Sequence, residues 1–296
     1  MMHKILKAGV SGKEDDWEEY LLENMTKVSM PLAVKMLAQA GIHKDTTAPF
    51  TLLDEGCGLG VVAGCLQDTV SKDVLARSSM VSSDYSGALV GFVQNRIQKK
   101  GWINTEAKVL DAQNTGLPAQ SFTHVTLNIS FHAIPDSHAA LEESIRLLKP
   151  GGLLAFTTWH EQGVGWLEDV RTAFASFPFP APSLISLPAQ VTTWGRWYDV
   201  NWVRKTLIEH GLADVKVDVL AHLTHVENAG DFIMAYGNML GWAVKAAGWS
   251  EELKGEHGEG EVKELVRKHL EDKYGAGEGW DLTWVSIIAS GRVPAN

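Results

Sequence analysis

Glycines stand at alternate positions 56, 58 and 60, directly after the acidic pair Asp54-Glu55 and the apolar Leu52-Leu53. That order reads as a buried strand, a tight turn, and a helix opening over Val61–Gly64. Glycine suits such a turn because it takes positive φ without steric cost and lets backbone approach a ligand closely. The helix start behind it offers unpaired N–H groups and a partial positive charge. A second acid closes the apolar run Met80-Val81-Ser82-Ser83-Asp84-Tyr85-Ser86, roughly 20–25 residues after Gly60, the reach of a carboxylate that grips ribose hydroxyls. A carboxylate can accept two charge-assisted hydrogen bonds there. Its other use is to cap the next helix, and Ser86 competes for that role. A third acid, Asp111, follows Val109-Leu110 and precedes Ala112, where it either meets a ligand or turns the chain.

The glycine run does not fit a dinucleotide site. Counted from Gly56, the sixth position is Val61, where that fingerprint requires a glycine for helix–strand packing. The imidazoles come next: His132 lies in Asn128-Ile129-Ser130-Phe131-His132-Ala133-Ile134, and His160 follows Trp159. Imidazole titrates near neutrality and can take a proton during a reaction. The histidines lack a ligand spacing such as HExxH, so no metal is expected.

These residues need a scaffold that brings strand ends together. From Phe50 to Arg292 strand and helix patterns alternate, which predicts a parallel α/β sheet. Strands are expected near 50–54, 79–83, 107–110, 122–128, 152–158, 213–220 and 282–290. Helices are expected near 61–69, 86–99, 137–148, 164–176, 200–210 and 229–246. Ahead of them, Asp15–Asn24 is acidic and aromatic, and Met30–Ala40 has helical spacing stopped by Gly41. The Lys149-Pro150-Gly151-Gly152 turn closes one helix and launches a strand. Phe177–Thr193, rich in proline, and His222–Gly279, which inserts helices and a charged, glycine-bearing stretch, interrupt the alternation, as loop-end insertions over a ligand crevice do.

Composition narrows the function. The chain has 296 residues and a net charge of −10, which argues against a nucleic-acid surface. Arg96, Lys99 and Lys100 read as a solvated helix C-terminus. No stretch reaches the roughly 20 apolar residues of a membrane span, and Met1–Tyr20 has no signal-peptide core. Cys57 and Cys65 form no CxxC pair, and a reducing cytoplasmic setting is expected.

Taken together, Asp54-Glu55-Gly56-Cys57-Gly58-Leu59-Gly60 resembles motif I of the class I S-adenosylmethionine-dependent methyltransferases, (D/E)xGxGxG. Asp84, Asp111 and the run from Phe122 to Asp136, followed by Leu147-Leu148-Lys149-Pro150-Gly151-Gly152, resemble later motifs of that family, in the right order. The likeness covers about residues 50–158. It departs from the pattern at Ala133, where the family has a second histidine, and at Thr123-His124, where an acid usually follows Phe122. The flavour is that of ubiquinone/menaquinone-pathway and fungal secondary-metabolite enzymes.

The resemblance implies a Rossmann-like, doubly wound seven-stranded sheet with helical lid insertions. It divides the chain into an N-terminal helical lid over 1–45 and a methyltransferase domain over 46–296, with insertions at about 160–199 and 222–279 covering the acceptor site. S-adenosyl-L-methionine would be held by Trp17, Tyr20, Asp54, Gly56, Cys57, Gly58, Gly60, Asp84, Tyr85, Asp111, Ala112, Asn128 and Ile129, with S-adenosyl-L-homocysteine as product. The expected reaction moves the methyl group to oxygen, nitrogen or sulfur of a small, largely apolar acceptor, a secondary metabolite among the options. His132 is the first candidate for base or acceptor-orienting group, and His160 the second. Two alternatives stay open from sequence: a non-transferring S-adenosylmethionine binder and an NAD(P)-dependent oxidoreductase. Oligomeric state is not legible.

Overall fold

The computed structural model describes residues 14–182, 190 and 192–295, with backbone only over 14–21. In chain order the elements are α1 (Glu14–Gln39), β1 (Thr51–Glu55), α2 (Val61–Thr69), α3 (Lys72–Arg77), β2 (Ser79–Asp84), α4 (Gly87–Lys100), β3 (Thr105–Val109), β4 (Phe122–Asn128), α5 (Ser137–Leu147), β5 (Leu148–Trp159), α6 (Leu167–Ala175), α7 (Val200–Glu209), β6 (Ala213–Val226), α8 (Ala229–Tyr236), α9 (Leu240–Ala246), α10 (Glu251–Glu256), α11 (Glu259–Tyr274) and β7 (Trp280–Arg292). The seven strands form one sheet in the order β3-β2-β1-β4-β5-β7-β6. The pairings from β3 through β5 are parallel, and β7 runs antiparallel to β5. The all-parallel expectation therefore fails at β7. Strand–helix alternation does not report the direction of a final strand that returns beside its predecessor.

Contacts divide the described residues into two compact units. One takes them from Met25–Glu161, Ala189–Leu220 and Ser286–Asn296, the other from Met1–Asn24, Gln162–Pro188 and Ala221–Val285. In the first unit the side-chain period of two sorts each strand onto two cores. Leu52, Ala155 and Ile288 face a cluster with Met36 and Leu37 of α1 and Val62 and Leu66 of α2. Their neighbours Leu53, Leu154, Phe156, Ile287 and Ala289 face Leu141 of α5 and Val203 and Leu207 of α7. Burial on both faces explains the near-continuous apolar runs.

The second unit is organised around Asp169 of α6, which is 3% exposed. It accepts hydrogen bonds from Lys273 Nζ at 2.9 Å, Tyr274 Oη at 2.8 Å and Trp280 Nε1 at 3.0 Å. A buried charge is tolerable when it is paired and hydrogen-bonded in this way. The stretch that looked merely charged holds α11, whose Val262, Val266 and Leu270 recur every four residues on the buried face. The helix expected over 229–246 is split by a tighter turn at Gly237–Met239. On these helices Met234 is exposed while Met239 and Trp242 are half-buried.

Two further local differences have physical causes. α1 is continuous through Pro31, so the two N-terminal segments are one helix. β5 begins at Leu148, ahead of the glycines, and a register shift between Phe122 and His124 absorbs the extra residues.

Four buried titratable groups tie stability to pH. Burial pushes the Asp54 and Glu55 carboxyls up to about 8 and pushes the His124 and His132 imidazoles down to about 4. The contribution of a carboxyl with a raised pKa is complete below its unfolded value and lost as pH rises toward 8. The contribution of an imidazole with a lowered pKa is complete above 6.5 and lost as pH falls toward 4. Between pH 8 and pH 6.5 only the carboxyls act. The stability of the ligand-free chain, and its thermal midpoint with it, should therefore rise on going from pH 8 to 6.5, the free energy by at most about 1.4 kcal/mol per pH unit for each carboxyl. Glu55→Gln should flatten part of that rise, and a scan with the parental slope would show that Glu55 is ionised in the fold.

Candidate active site

The sheet order sets β1 between β2 and β4, so the chain winds in opposite directions on either side of the β1/β4 boundary. Ligands of open α/β sheets bind at the carboxyl ends of strands at such a reversal. Four parallel strand ends line up there. They carry Asp111 after β3, Asp84 at the end of β2, the glycine turn after β1, and Asn128 at the end of β4.

In the turn Gly56, Gly58 and Gly60 have φ of 66°, 53° and 75°. A Cβ on Gly56 would meet Ser130 Oγ at 2.6 Å, whereas one on Gly58 would meet nothing within 4 Å. Gly56 is thus a packing glycine, and Gly58 borders open space. Gly60 is the N-cap of α2 and has no capping side chain, which leaves the first N–H groups of α2 available to a ligand. The Cys57 N–H donates to Ser83 O at 2.8 Å, and its thiol is buried and pushed well up by desolvation, which rules it out as a nucleophile.

The Asp84 carboxylate joins the turn to the next helix. Its Oδ2 accepts from the Gly58 N–H at 3.1 Å and its Oδ1 from the Ser86 N–H at 2.9 Å. The capping role goes to Ser86, whose hydroxyl accepts from Leu89 N. Asp84 keeps acceptor capacity for ligand hydroxyls, since an ionised carboxylate has about four lone-pair positions. Tyr85 beside it is 79% exposed, and Val109 at the end of β3 is 56% exposed. Asp111, by contrast, is held by its neighbour. It accepts from the Gln113 N–H at 2.9 Å and from Gln113 Nε2 at 2.8 and 3.1 Å, with Ala112 half-buried between them.

The buried acids behind the turn point to opposite faces. Asp54 Oδ1 accepts from Thr126 Oγ1 at 2.9 Å, and Glu55 Oε2 accepts from Ser144 Oγ at 2.6 Å. One oxygen of each, Asp54 Oδ2 and Glu55 Oε1, is buried without a hydrogen-bond partner, which fits carboxyls that desolvation keeps protonated.

At the end of β4 the Asn128 side chain is committed to the protein. Its Nδ2 donates to Ser29 O of α1 at 3.2 Å, and its Oδ1 accepts from Thr157 Oγ1 at 2.7 Å. Ile129 follows at φ 60°, an unusual setting for a β-branched residue. Its N–H donates to Thr157 O at 3.1 Å and to Thr157 Oγ1 at 2.9 Å. Ser130 Oγ then donates to Gly56 O at 3.3 Å, which fastens the His132 loop to the glycine turn.

His132 lies with Nδ1 3.4 Å from Thr158 Oγ1 and its ring 6.1 Å from that of Trp159. Desolvation keeps it uncharged at neutral pH, so it presents a lone pair rather than a cation. Behind the loop, Phe131 stacks on Trp197 at 4.4 Å and meets Phe156 edge-on at 4.9 Å. Trp197 is fully buried, and its Nε1 donates to Ser137 Oγ at 2.9 Å, so this aromatic is core rather than ligand wall. His160 is half-buried at the end of β5. Trp17 and Tyr20 belong to the opening turns of α1, whose side chains lie outside the described residues.

Arg96 was not legible as part of this site. Instead of ending in solvent, it reaches under the turn, where Nη1 donates to Leu59 O and, at 3.3 Å, to Gly60 O. Its guanidinium lies 4.8 Å over the Trp102 ring. Its sequence phase was the available signal, since Leu89, Val93 and Arg96 share one helix face. Ser130, Gln113 and Thr157 were also missed, because serine, threonine and glutamine at strand ends carry no distinctive spacing.

A family model described as "Methyltransferase domain" matches residues 53–156. The chain is 30% identical over 273 residues to "Methyltransferase tpcH" of Aspergillus fumigatus, covering 90% of this chain and 93% of that protein. It is 27% identical over 269 residues to "Acetylaranotin bis-thiomethyltransferase" of Aspergillus terreus, covering 90% and 91%. Among solved structures, phosphoethanolamine N-methyltransferase 2 of Haemonchus contortus, in complex with S-adenosyl-L-methionine, matches with a TM-score of 0.50 at 15% identity, covering 97% of this chain and 61% of that one. That last likeness speaks for the fold alone. The chain belongs to the class I S-adenosylmethionine-dependent methyltransferases. It is an enzyme of that type, S-adenosyl-L-methionine is its cofactor, and the nicotinamide and non-transferring alternatives give way. The site fits that cofactor. The glycine turn leaves open space where a side chain would stand, helix N–H groups flank it, and Asp84 retains acceptor capacity.

Asp84→Ala should weaken S-adenosylhomocysteine binding by about 1.5–3 kcal/mol in a calorimetric titration. Ser86→Ala, which removes only a helix cap, should cost about 1 kcal/mol of stability and leave affinity unchanged. Equal affinities for the parent and the Asp84 variant would remove Asp84 from the ligand.

Proposed function

We propose that this enzyme methylates an oxygen, nitrogen or sulfur atom of a small, largely apolar acceptor of the secondary-metabolite kind. The observation that supports this best is the row of strand-end groups running from Asp111 through Asp84 and the glycine turn to His132, with Ser130 linking the last two. The net charge of −10 supports a neutral or apolar acceptor over a nucleic acid. The full-length likeness to fungal proteins, one named for thiomethylation, supports a small molecule and puts sulfur among the acceptor atoms to test.

When bound, S-adenosyl-L-methionine supplies a methyl group already activated on a sulfonium. The protein's task is then to hold, orient and exclude water. Asp84, the Gly58 backbone and the start of α2 would hold the nucleoside end, with Tyr85, Asp111 and Ala112 beside it. Asp54, Gly56, Cys57, Gly60, Asn128 and Ile129 shape the floor of the site. Arg96 braces the turn from beneath. His132 would accept a hydrogen bond from the acceptor's X–H group and take its proton as the nucleophile commits, with Thr158 setting the ring; His160 is the second candidate. Trp17 and Tyr20 are proposed as further cofactor contacts on the strength of the family likeness. Among the described residues no helix is long and apolar enough to cross a membrane.

A methyl-labelled donor offered with apolar thiols, phenols and amines tests the reading. Label should enter one of these classes, and none entering any would overturn the small-molecule assignment. His132→Ala should lower turnover on the order of 10²-fold while leaving cofactor affinity unchanged. Because His132 is pushed down to about 4, it should produce no inflection near pH 6.5 in the turnover profile. An inflection there that disappears in the variant would show an exposed, ordinary imidazole instead.

A further inference from the structure

Away from the strand ends, two helices of the first unit bring three metal-competent side chains together. His138 and Glu142 are one turn apart at the start of α5, with His138 Nε2 3.7 Å from Glu142 Oε1. His210 sits at the C-cap of α7. One ring nitrogen from each histidine and one Glu142 oxygen all lie within 4.8 Å of one another. The sequence separates His138 from His210 too far for any ligand motif, which is why no metal was expected.

The state of His210 follows from its neighbour. Its Nδ1 is 2.8 Å from the Thr206 carbonyl. A carbonyl can only accept, so Nδ1 is the donor here and Nε2 is the nitrogen left to face an ion. A second hydrogen bond that fixes tautomer and ring orientation is the usual support of a metal-bound histidine. The rings are also braced by Trp194, 4.6 Å from His138 and 6.3 Å from His210. Both helices are anchored in one core, through Leu141 on α5 and Leu207 on α7. Bonds of about 2.0–2.2 Å to a tetrahedral ion place ligand atoms about 3.3–3.6 Å apart, within side-chain adjustment of what is seen.

We propose that His138, Glu142 and His210 form a binding site for a divalent ion of the zinc class, with a fourth position open to solvent, and that the ion ties α5 to α7. Two imidazoles and one carboxylate select zinc-like ions over magnesium and calcium, which prefer all-oxygen shells. α5 begins just beyond the loop that carries His132, so a fixed α5 also fixes the end of that loop.

The chelator-treated full chain should be titrated with Zn2+ by calorimetry, with Mg2+ as control. One equivalent should bind, Mg2+ should not compete, and zinc should raise the thermal midpoint. His138→Ala, Glu142→Gln and His210→Ala should each weaken binding at least about tenfold and remove the midpoint shift, with S-adenosylhomocysteine binding unchanged as proof of fold. Should His210→Ala fail to fold, the two exposed α5 variants carry the same test. Absence of zinc binding, or variants that bind zinc as the parent does, would overturn the site.

Discussion

The Asp84 carboxylate is the contact on which the cluster of strand ends depends, because it holds the glycine turn after β1 and the start of α4 at once. The capping of α4 falls separately to the Ser86 hydroxyl. The arrangement spans two adjacent strand ends and needs them in register, which the parallel β1–β2 ladder from Thr51/Ser79 to Glu55/Ser83 provides. On the other side of the turn, Ser130 ties in β4. Three consecutive strands of the sheet are thus locked at their carboxyl ends by side chains rather than by ladder bonds.

Electrostatics around this clasp separate two kinds of carboxyl. Asp84 is half-exposed and accepts hydrogen bonds from two backbone N–H groups. Asp54 and Glu55, directly behind it, are fully buried and held neutral by desolvation. Keeping them neutral avoids stacking three negative charges under one turn. The imidazole of His132 is also uncharged at neutral pH.

Much of this was readable from sequence because the informative residues obey short-range rules. All seven strands were placed; a strand buried on both faces writes an apolar run, as Leu153–Phe156 does in β5. Positive φ at Gly56, Gly58 and Gly60 followed from the spacing itself. What escaped was set by side-chain partners and helix phases that motif spacing does not mark. Arg96 looked like a solvated helix end, yet the Leu59 and Gly60 carbonyls that receive it come from an earlier loop. Asp111 looked available, yet Gln113 two residues on occupies it. Trp197 carries no positional signal in the sequence, and only tertiary packing reveals it stacked behind the loop on Phe131. α11 was hidden because its polar residues outnumber the three that face the core.

Ile129 has a consequence for how this enzyme can be improved. Left-handed backbone at a β-branched residue costs on the order of 1–3 kcal/mol, and it persists only where the surroundings over-determine it. Here Thr157 supplies two acceptors for one N–H. A glycine at 129 would adopt the same angle freely, so a search for thermostable variants would select it early. The gain would be misleading. The unstrained backbone could leave β4 in either hand, and the segment bearing Ser130 and His132 would lose its single direction of exit. Thermostability and turnover should therefore trade against each other at this one position, and a stability screen without an activity readout would drift toward a sturdier, idler protein.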